Sequence, residues 1–80
     1  MPYIDQKRRL ELCNNDTVET PGELNYMISK LCQEYVMSHN LKYQTINDII
    51  GALEGAKLEF YRRMAAPYEN DKIEQNGDVY

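Results

Sequence analysis

A regular spacing of apolar residues behind a helix-capping sequence limits most strongly how this chain can fold. Thr20 is suited to be a helix N-cap, Pro21 to be the first helical residue, and Glu23 completes a capping box. The apolar positions that follow are Leu24, Met27, Ile28, Leu31, Cys32, Tyr35 and Val36. Steps of three and four residues place them on one helical face, and we expect the helix to fade near His39 and Asn40.

A second helix is predicted between Thr45, interpreted as its N-cap, and Pro67, which is expected to close it. Its apolar stripe consists of Ile46, Ile49, Ile50, Leu53, the stem of Lys57, Phe60 and Met64. Because two long helical patterns follow each other and no pair of strands competes, we predict an all-α fold built on a helical hairpin.

The 80 residues are expected to form a single helical domain in three parts. Residues 1–19 are an N-terminal segment with a short helix from about Asp5, and residues 20–66 are the hairpin. Residues 67–80 are a C-terminal arm, expected to be ordered, with a short helix that ends in a left-handed cap at Gly77.

A domain of this size usually needs a supplement to its small core, such as disulfides, a metal or a partner subunit. Two cysteines make no disulfide framework, and Cys13, Cys32 and His39 lack the paired spacing of a zinc site. We therefore expect no metal and no cofactor. Self-association remains as the expected supplement.

Four small residues on the second helix indicate where another backbone approaches. Gly51, Ala52, Gly55 and Ala56, here called the small-residue ridge, form two interleaved pairs spaced by four. Each helical glycine lowers helix stability by about 1 kcal/mol relative to alanine. Close packing of another backbone would explain why glycine occurs at both positions. The approaching backbone is either the first helix or a second subunit, and we predict self-association here.

The net charge of −4 disfavours general binding to nucleic acid, because nonspecific affinity comes from neutralising phosphates. Local basic pockets remain open at residues 7–9 and 62–63. No stretch approaches the roughly 20 apolar residues of a membrane span, and no secretory leader is recognisable, so we expect a cytoplasmic protein without membrane contact. The acidic surplus lies mainly in the arm, with Glu69, Asp71, Glu74 and Asp78 against Lys72.

The residue patterns of common enzyme sites are missing. There is no nucleophile elbow, no glycine-rich phosphate loop and only one histidine. The carboxylates follow the spacing of ordinary surface ion pairs. We predict that the protein is not an enzyme and assign no catalytic residue.

Tyr61, Arg62, Arg63 and Tyr68 are the candidate ligand-binding residues. Arginine offers a planar fork of donors for phosphate or carboxylate, and tyrosine offers a stacking face. The alternative is that both arginines fold the acidic arm back, with Glu69, Asp71 and the terminal carboxylate of Tyr80 as partners. The skewed usage of seven Tyr, one Phe and no Trp allows the same two interpretations: tyrosines half-buried around a small core, or tyrosines lining an interface.

Three stretches carry a family resemblance: GELNYMISKL, IIGALEGAKLEFYRR and APYENDKIEQNGDVY. Over roughly residues 22–80 the chain resembles a group of short, functionally uncharacterised helical proteins of bacteriophages and prophage-rich genomes. The resemblance implies a phage or mobile-element origin, and therefore a bacterial host cell. It carries no established activity and transfers no catalytic residue.

Small phage proteins often act by binding, as oligomeric sponges for nucleotide immune signals or as inhibitors of host complexes. By this analogy we expect an oligomeric accessory protein that binds an anionic, nucleotide-like molecule, with a possible anti-defence role. The alternatives are an inhibitor that docks on a host protein through its acidic arm, and a purely structural assembly factor.

Overall fold

Helices account for most of residues 4–80, the part of the chain that the computed structural model describes. They are α1 (Gln6–Cys13), α2 (Pro21–His39), α3 (Tyr43–Phe60) and α4 (Ala66–Asn76), with a π-helical segment (Tyr61–Ala65) between α3 and α4. Within the described range there is no strand, so the all-α prediction is confirmed. The chain divides into two units, Met1–Ile46 and Asn47–Tyr80, which we describe in turn.

Helix α1 begins where the sequence predicts a short helix. The Asp5 side chain caps it by accepting a hydrogen bond from the Arg8 backbone N–H at 2.8 Å. Leu12, near its end, is 1% exposed and is the one fully buried apolar side chain among residues 4–80. Although this helix has few apolar residues, it supplies the one fully buried apolar side chain of the described residues.

Helix α2 has the predicted cap. Thr20 Oγ1 accepts the Glu23 N–H at 3.1 Å, and Pro21 is the first helical residue. The reciprocal half of the capping box differs, because the Glu23 carboxylate accepts the backbone N–H of Glu19 at 3.0 Å. The helix ends at His39, as predicted, and the following Asn40 has a φ of 67°, which turns the chain out of the helix.

Helix α3 begins two residues before the predicted N-cap. Its first turn already contains the bond from the Ile46 N–H to the Lys42 carbonyl, at 3.1 Å. The interpretation of Thr45 as the N-cap is therefore wrong. Thr45 lies inside the first turn and is 1% exposed, and its Oγ1 has no hydrogen-bond partner within the described residues.

We expect Thr45→Val to leave the fold intact and to keep or raise the free energy of unfolding, by up to about 1–2 kcal/mol. A buried, unpaired hydroxyl costs about 1–3 kcal/mol, and valine keeps the branched shape without that group. Urea unfolding followed by circular dichroism measures the change. Thr17→Val, at an exposed loop threonine, is the matched control and should stay within about 0.5 kcal/mol. A clear loss of stability in Thr45→Val alone would show that the hydroxyl is hydrogen-bonded.

The prediction that Pro67 closes the second helix is also wrong, because the chain stays helical to Asn76. Proline lacks an N–H and its ring clashes with the carbonyl four residues earlier. The π-helical segment accommodates this, since the Ala66 N–H bonds to the Tyr61 carbonyl, five residues back. Pro67 thereby occupies the second position of α4, where a missing donor is tolerated.

The end of α4 lies at the predicted residue, although Gly77, with φ of 85° and ψ of 156°, is outside the left-handed helical region of the predicted cap. Its φ is positive and it donates its N–H to the Ile73 carbonyl at 2.7 Å, so glycine stops this helix. The arm is thus a continuation of the second long helix, and α3, the π-helical segment and α4 form one uninterrupted helical run. None of residues 47–80 is buried, although the predicted apolar stripe includes several of them.

Candidate ligand-binding and association surfaces

Tyr61, Arg62 and Arg63 occupy the first three positions of the π-helical segment, and Tyr68 follows in the first turn of α4. All four side chains are exposed. π-Helical turns inside α-helices are frequent at functional sites, although Pro67 gives this one a structural reason as well. The structure therefore places the four candidate residues along one stretch of helix surface.

Glu59 joins the two arginines. Arg62 Nη2 lies 3.1 Å from Glu59 Oε1 and 3.2 Å from Oε2, and Arg63 Nε also donates to Oε1. One carboxylate thus serves two guanidinium groups, which leaves a local positive charge. The arginine side chains are 68% and 66% exposed. Exposed pairs of this kind contribute little stability, so other anions can compete for these groups.

Within one copy of the chain, Arg62 and Arg63 do not form their ion pairs with the acidic arm. In residues 4–80 the ion pairs of Arg62 and Arg63 go to Glu59, on their own helix. The interpretation that they fold back Glu69 and Asp71 therefore does not describe a single copy. The arm keeps its place because it is helical and continuous with α3.

Tyr61 and Glu69 meet across the π-helical segment. The Glu69 carboxylate, through its interaction with the Tyr61 hydroxyl, raises the pKa of Tyr61 above its ordinary value. An α-helix returns to the same face after about seven residues, and a π turn holds about one residue more. Residues eight apart, such as 60 and 68 or 61 and 69, therefore share a face here.

Tyr68 contacts Lys72 and not the arginines. The Lys72 ammonium lies 5.5 Å from the centre of the Tyr68 ring, within the range of a cation–π contact. The structure therefore brings together Arg62 with Arg63, through Glu59, and Tyr61 with Glu69. It leaves Tyr68 on a neighbouring part of the helix surface.

The small-residue ridge is open in a single copy. A methyl group built onto Gly51 or Gly55 would have no atom within 4 Å apart from its own helix backbone and chain neighbours. Gly55 is nine residues from Ile46, so it lies about 180° around the helix from the apolar stripe.

Arg8 organises a charge cluster that sequence reasoning missed. Its guanidinium donates to Asp16 Oδ2 at 2.6 Å, to the Thr17 carbonyl at 2.6 Å and to Glu23 Oε1 at 2.7 Å. These bonds lower the pKa of both carboxyl groups, and the bond to Arg8 is the largest cause in each case. Residues 7–9 are therefore not a basic pocket, because Arg8 is engaged. No local sequence pattern reveals contacts between residues that are 8 to 15 positions apart along the chain.

A second contact ties α1 to α2. Cys13 Sγ lies 3.8 Å from the Tyr26 hydroxyl, and the Arg9 guanidinium lies 5.9 Å from the Tyr26 ring centre. The hydrogen bond with Cys13 raises the pKa of Tyr26. Cys13 and Cys32 are both free thiols, and nowhere in residues 4–80 do three metal-ligating side chains gather.

Comparison with known proteins places the chain in a family without supplying an activity. A family described as "Domain of unknown function (DUF6899)" matches residues 1–79. No curated protein matches the chain. No solved structure matches it either. Within residues 4–80, no helix is long and apolar enough to cross a membrane. Because the match extends over nearly the whole length, the chain belongs to the DUF6899 family.

Proposed function

We propose that this protein is a phage-type accessory binding protein that works as a homo-oligomer and sequesters an anionic, nucleotide-like small molecule in the host cell. The observation that carries the proposal is the sharing of Glu59 by Arg62 and Arg63. Two exposed planar forks with one carboxylate between them retain donors for a phosphate group. Tyr61 and Tyr68 offer rings for a base nearby.

Self-association is the second part of the proposal. Leu12 is the one apolar side chain of residues 4–80 that is fully buried, while Leu31, Ile50 and Phe60 remain largely exposed. Long apolar helix faces are stable in water when another surface covers them. We propose that a second copy supplies part of that cover, with the small-residue ridge as one contact and with α2 and α3 packed as a hairpin.

A nucleotide panel tests the ligand. We expect one class of nucleotide to raise the melting temperature of the native protein, since a ligand at a hundred times its dissociation constant adds about 2.7 kcal/mol. The double variant Arg62→Ala/Arg63→Ala should lose that shift. Lys57→Ala is the matched control, because Lys57 is an exposed cation about one and a half helical turns away that pairs with Glu54 at 3.8 Å.

Two results would contradict the ligand proposal. One is the absence of a shift with every nucleotide at millimolar concentration. The other is an equal shift with inorganic phosphate, which would indicate simple screening of the arginines. Native mass spectrometry of freshly purified protein gives an independent reading, because a sequestered metabolite would travel with the protein.

The alternative is an inhibitor that docks on a basic host protein through the acidic arm. It is favoured by one observation: the arm is an exposed helix whose carboxylates are not engaged by Arg62 and Arg63 of the same copy. Acidic helices of this kind suit basic surfaces that normally bind nucleic acid. Capture of a defined host protein, lost when Asp71 and Glu74 become Asn and Gln, would favour this function.

A further inference from the structure

The charges on either side of Ala66 mirror each other with opposite signs. Four charged residues precede it and four follow it between positions 57 and 74, and these are all the charged residues in that range. Counted outward from Ala66, the pairs are Lys57 with Glu74, Glu59 with Lys72, Arg62 with Asp71, and Arg63 with Glu69. In every pair the two distances from Ala66 agree to within one residue.

These pairs cannot form inside one helix. Their members are 6 to 17 residues apart, which is roughly 9 to 25 Å along a helix axis. Within a copy, Arg62 and Arg63 pair with Glu59, and Lys57 pairs with Glu54. The mirrored partners meet only when a second helix of the same sequence runs antiparallel, crossing the first near Ala66.

The same stretch has an exposed apolar row for such a contact. Phe60, Met64 and Tyr68 are 66%, 61% and 63% exposed. The π-helical segment adds about one residue to the helical repeat, so these three side chains stand on one face. In the antiparallel arrangement Met64 of each copy lies opposite Tyr68 of the partner subunit.

We propose that residues 57–74 form an antiparallel seam with a second copy of this chain, with Phe60, Met64 and Tyr68 at its centre. Burial of the apolar row drives the contact, and the four mirrored pairs set its direction, as flanking charges do in coiled coils. A parallel pair would place like charges together. The occupant is a second copy because the pattern is complementary to itself, which is what a two-fold interface requires.

This inference deepens the self-association part of the proposed function and rests on that part alone, not on the nucleotide. The seam lies further along the helix than the small-residue ridge, and on a different face, so the two contacts can be separated by mutation. A ligand at Arg62 and Arg63 would displace the partner subunit's Glu69 and Asp71. Ligand binding and the seam therefore compete, and adding the ligand should loosen the dimer.

A charge swap tests the seam in the full chain. We expect Arg62→Glu/Arg63→Glu alone, and Glu69→Arg/Asp71→Arg alone, to weaken self-association at least tenfold by sedimentation equilibrium. An equimolar mixture of the two should form a heterodimer, and the variant that carries all four changes should regain the native dimer. Circular dichroism checks that each variant keeps its helices. Glu54→Lys, outside the mirrored range, is the control and should behave as native.

Three outcomes would contradict the seam proposal. These are a native protein that stays monomeric at about 100 μM, charge variants that associate normally, and dissociated variants that neither the mixture nor the fourfold change restores. If Gly55→Leu dissociates the protein while the charge variants do not, the ridge is the contact and the seam is wrong. The nucleotide shift is read separately, so its failure leaves this result intact.

Discussion

Leu12→Ala should lower the free energy of unfolding by about 2–5 kcal/mol, the usual cost of truncating a fully buried leucine. Leu12 is 1% exposed, and no other apolar side chain of residues 4–80 is fully buried. The loss is large because a chain of this length is expected to have only about 4–12 kcal/mol of stability in all. Denaturant unfolding followed by circular dichroism gives the value.

Leu10→Ala is the matched control for this measurement. Leu10 lies in the same helix but is 66% exposed, so its truncation should change stability by less than about 0.5 kcal/mol. If both variants unfold at the same denaturant concentration as the native protein, Leu12 is not the centre of the first unit. If both are equally damaged, burial of Leu12 is not the reason for the loss, since alanine is the better helix former at both positions.

Replacing Arg8 by methionine should also weaken the first unit strongly, with a fall in melting temperature of about 5–10 °C at neutral pH. The guanidinium holds Asp16, the Thr17 carbonyl and Glu23, and methionine leaves all three without that donor. Glu23 suffers most, because it is buried. Lys7→Met, at the exposed neighbouring cation, is the control and should melt as the native protein does.

The same cluster predicts the pH dependence. Arg8 lowers the pKa of Glu23 and Asp16 below their ordinary values of 4.5 and 3.8. A group whose pKa is lower in the folded state stabilises the protein above its unfolded pKa, and that contribution disappears as pH falls through the folded pKa. The native melting temperature should therefore begin to fall below about pH 4.5 and continue to fall at lower pH.

The Arg8→Met variant should lose most of this acid dependence, because Arg8 is the largest cause of the lowered pKa of both carboxyl groups and only their bonds to the backbone N–H groups of Thr17 and Glu19 remain. Melting curves between pH 7 and pH 3 compare the two proteins. Parallel pH profiles for native protein and variant would show that other carboxyl groups govern acid unfolding.

Local signals in the sequence predicted the helices well. The caps at Thr20 and Gly77 depend on hydrogen bonds between residues three or four apart, so the residue types are enough to locate them. The short helix after Asp5 and the end of α2 at His39 follow from the same kind of signal. The prediction of Thr45 as an N-cap was wrong because a threonine before an apolar residue resembles an N-cap even when the helix has already begun.

The candidate site was predicted in part. Tyr61, Arg62, Arg63 and Tyr68 do lie along one exposed stretch of helix, but one of the two interpretations of the sequence paired the arginines with the acidic arm. The spacing of three and four residues from Glu59 to Arg62 and Arg63 predicts ordinary surface ion pairs, and the structure has both. The sequence pattern did not predict the continuity of the helix through Pro67, because proline usually ends a helix. Here a π-helical turn before Pro67 allows the helix to continue.

By itself, then, the sequence determined the all-α class and most helix ends, because those depend on bonds between near neighbours along the chain. The tertiary structure alone decided that Leu12 is buried, that Arg8 joins Glu23 across fifteen residues, and that most of the apolar stripe of α3 is exposed. Such features depend on which distant side chains meet. A helical pattern states which residues share a face, and only packing decides what that face touches.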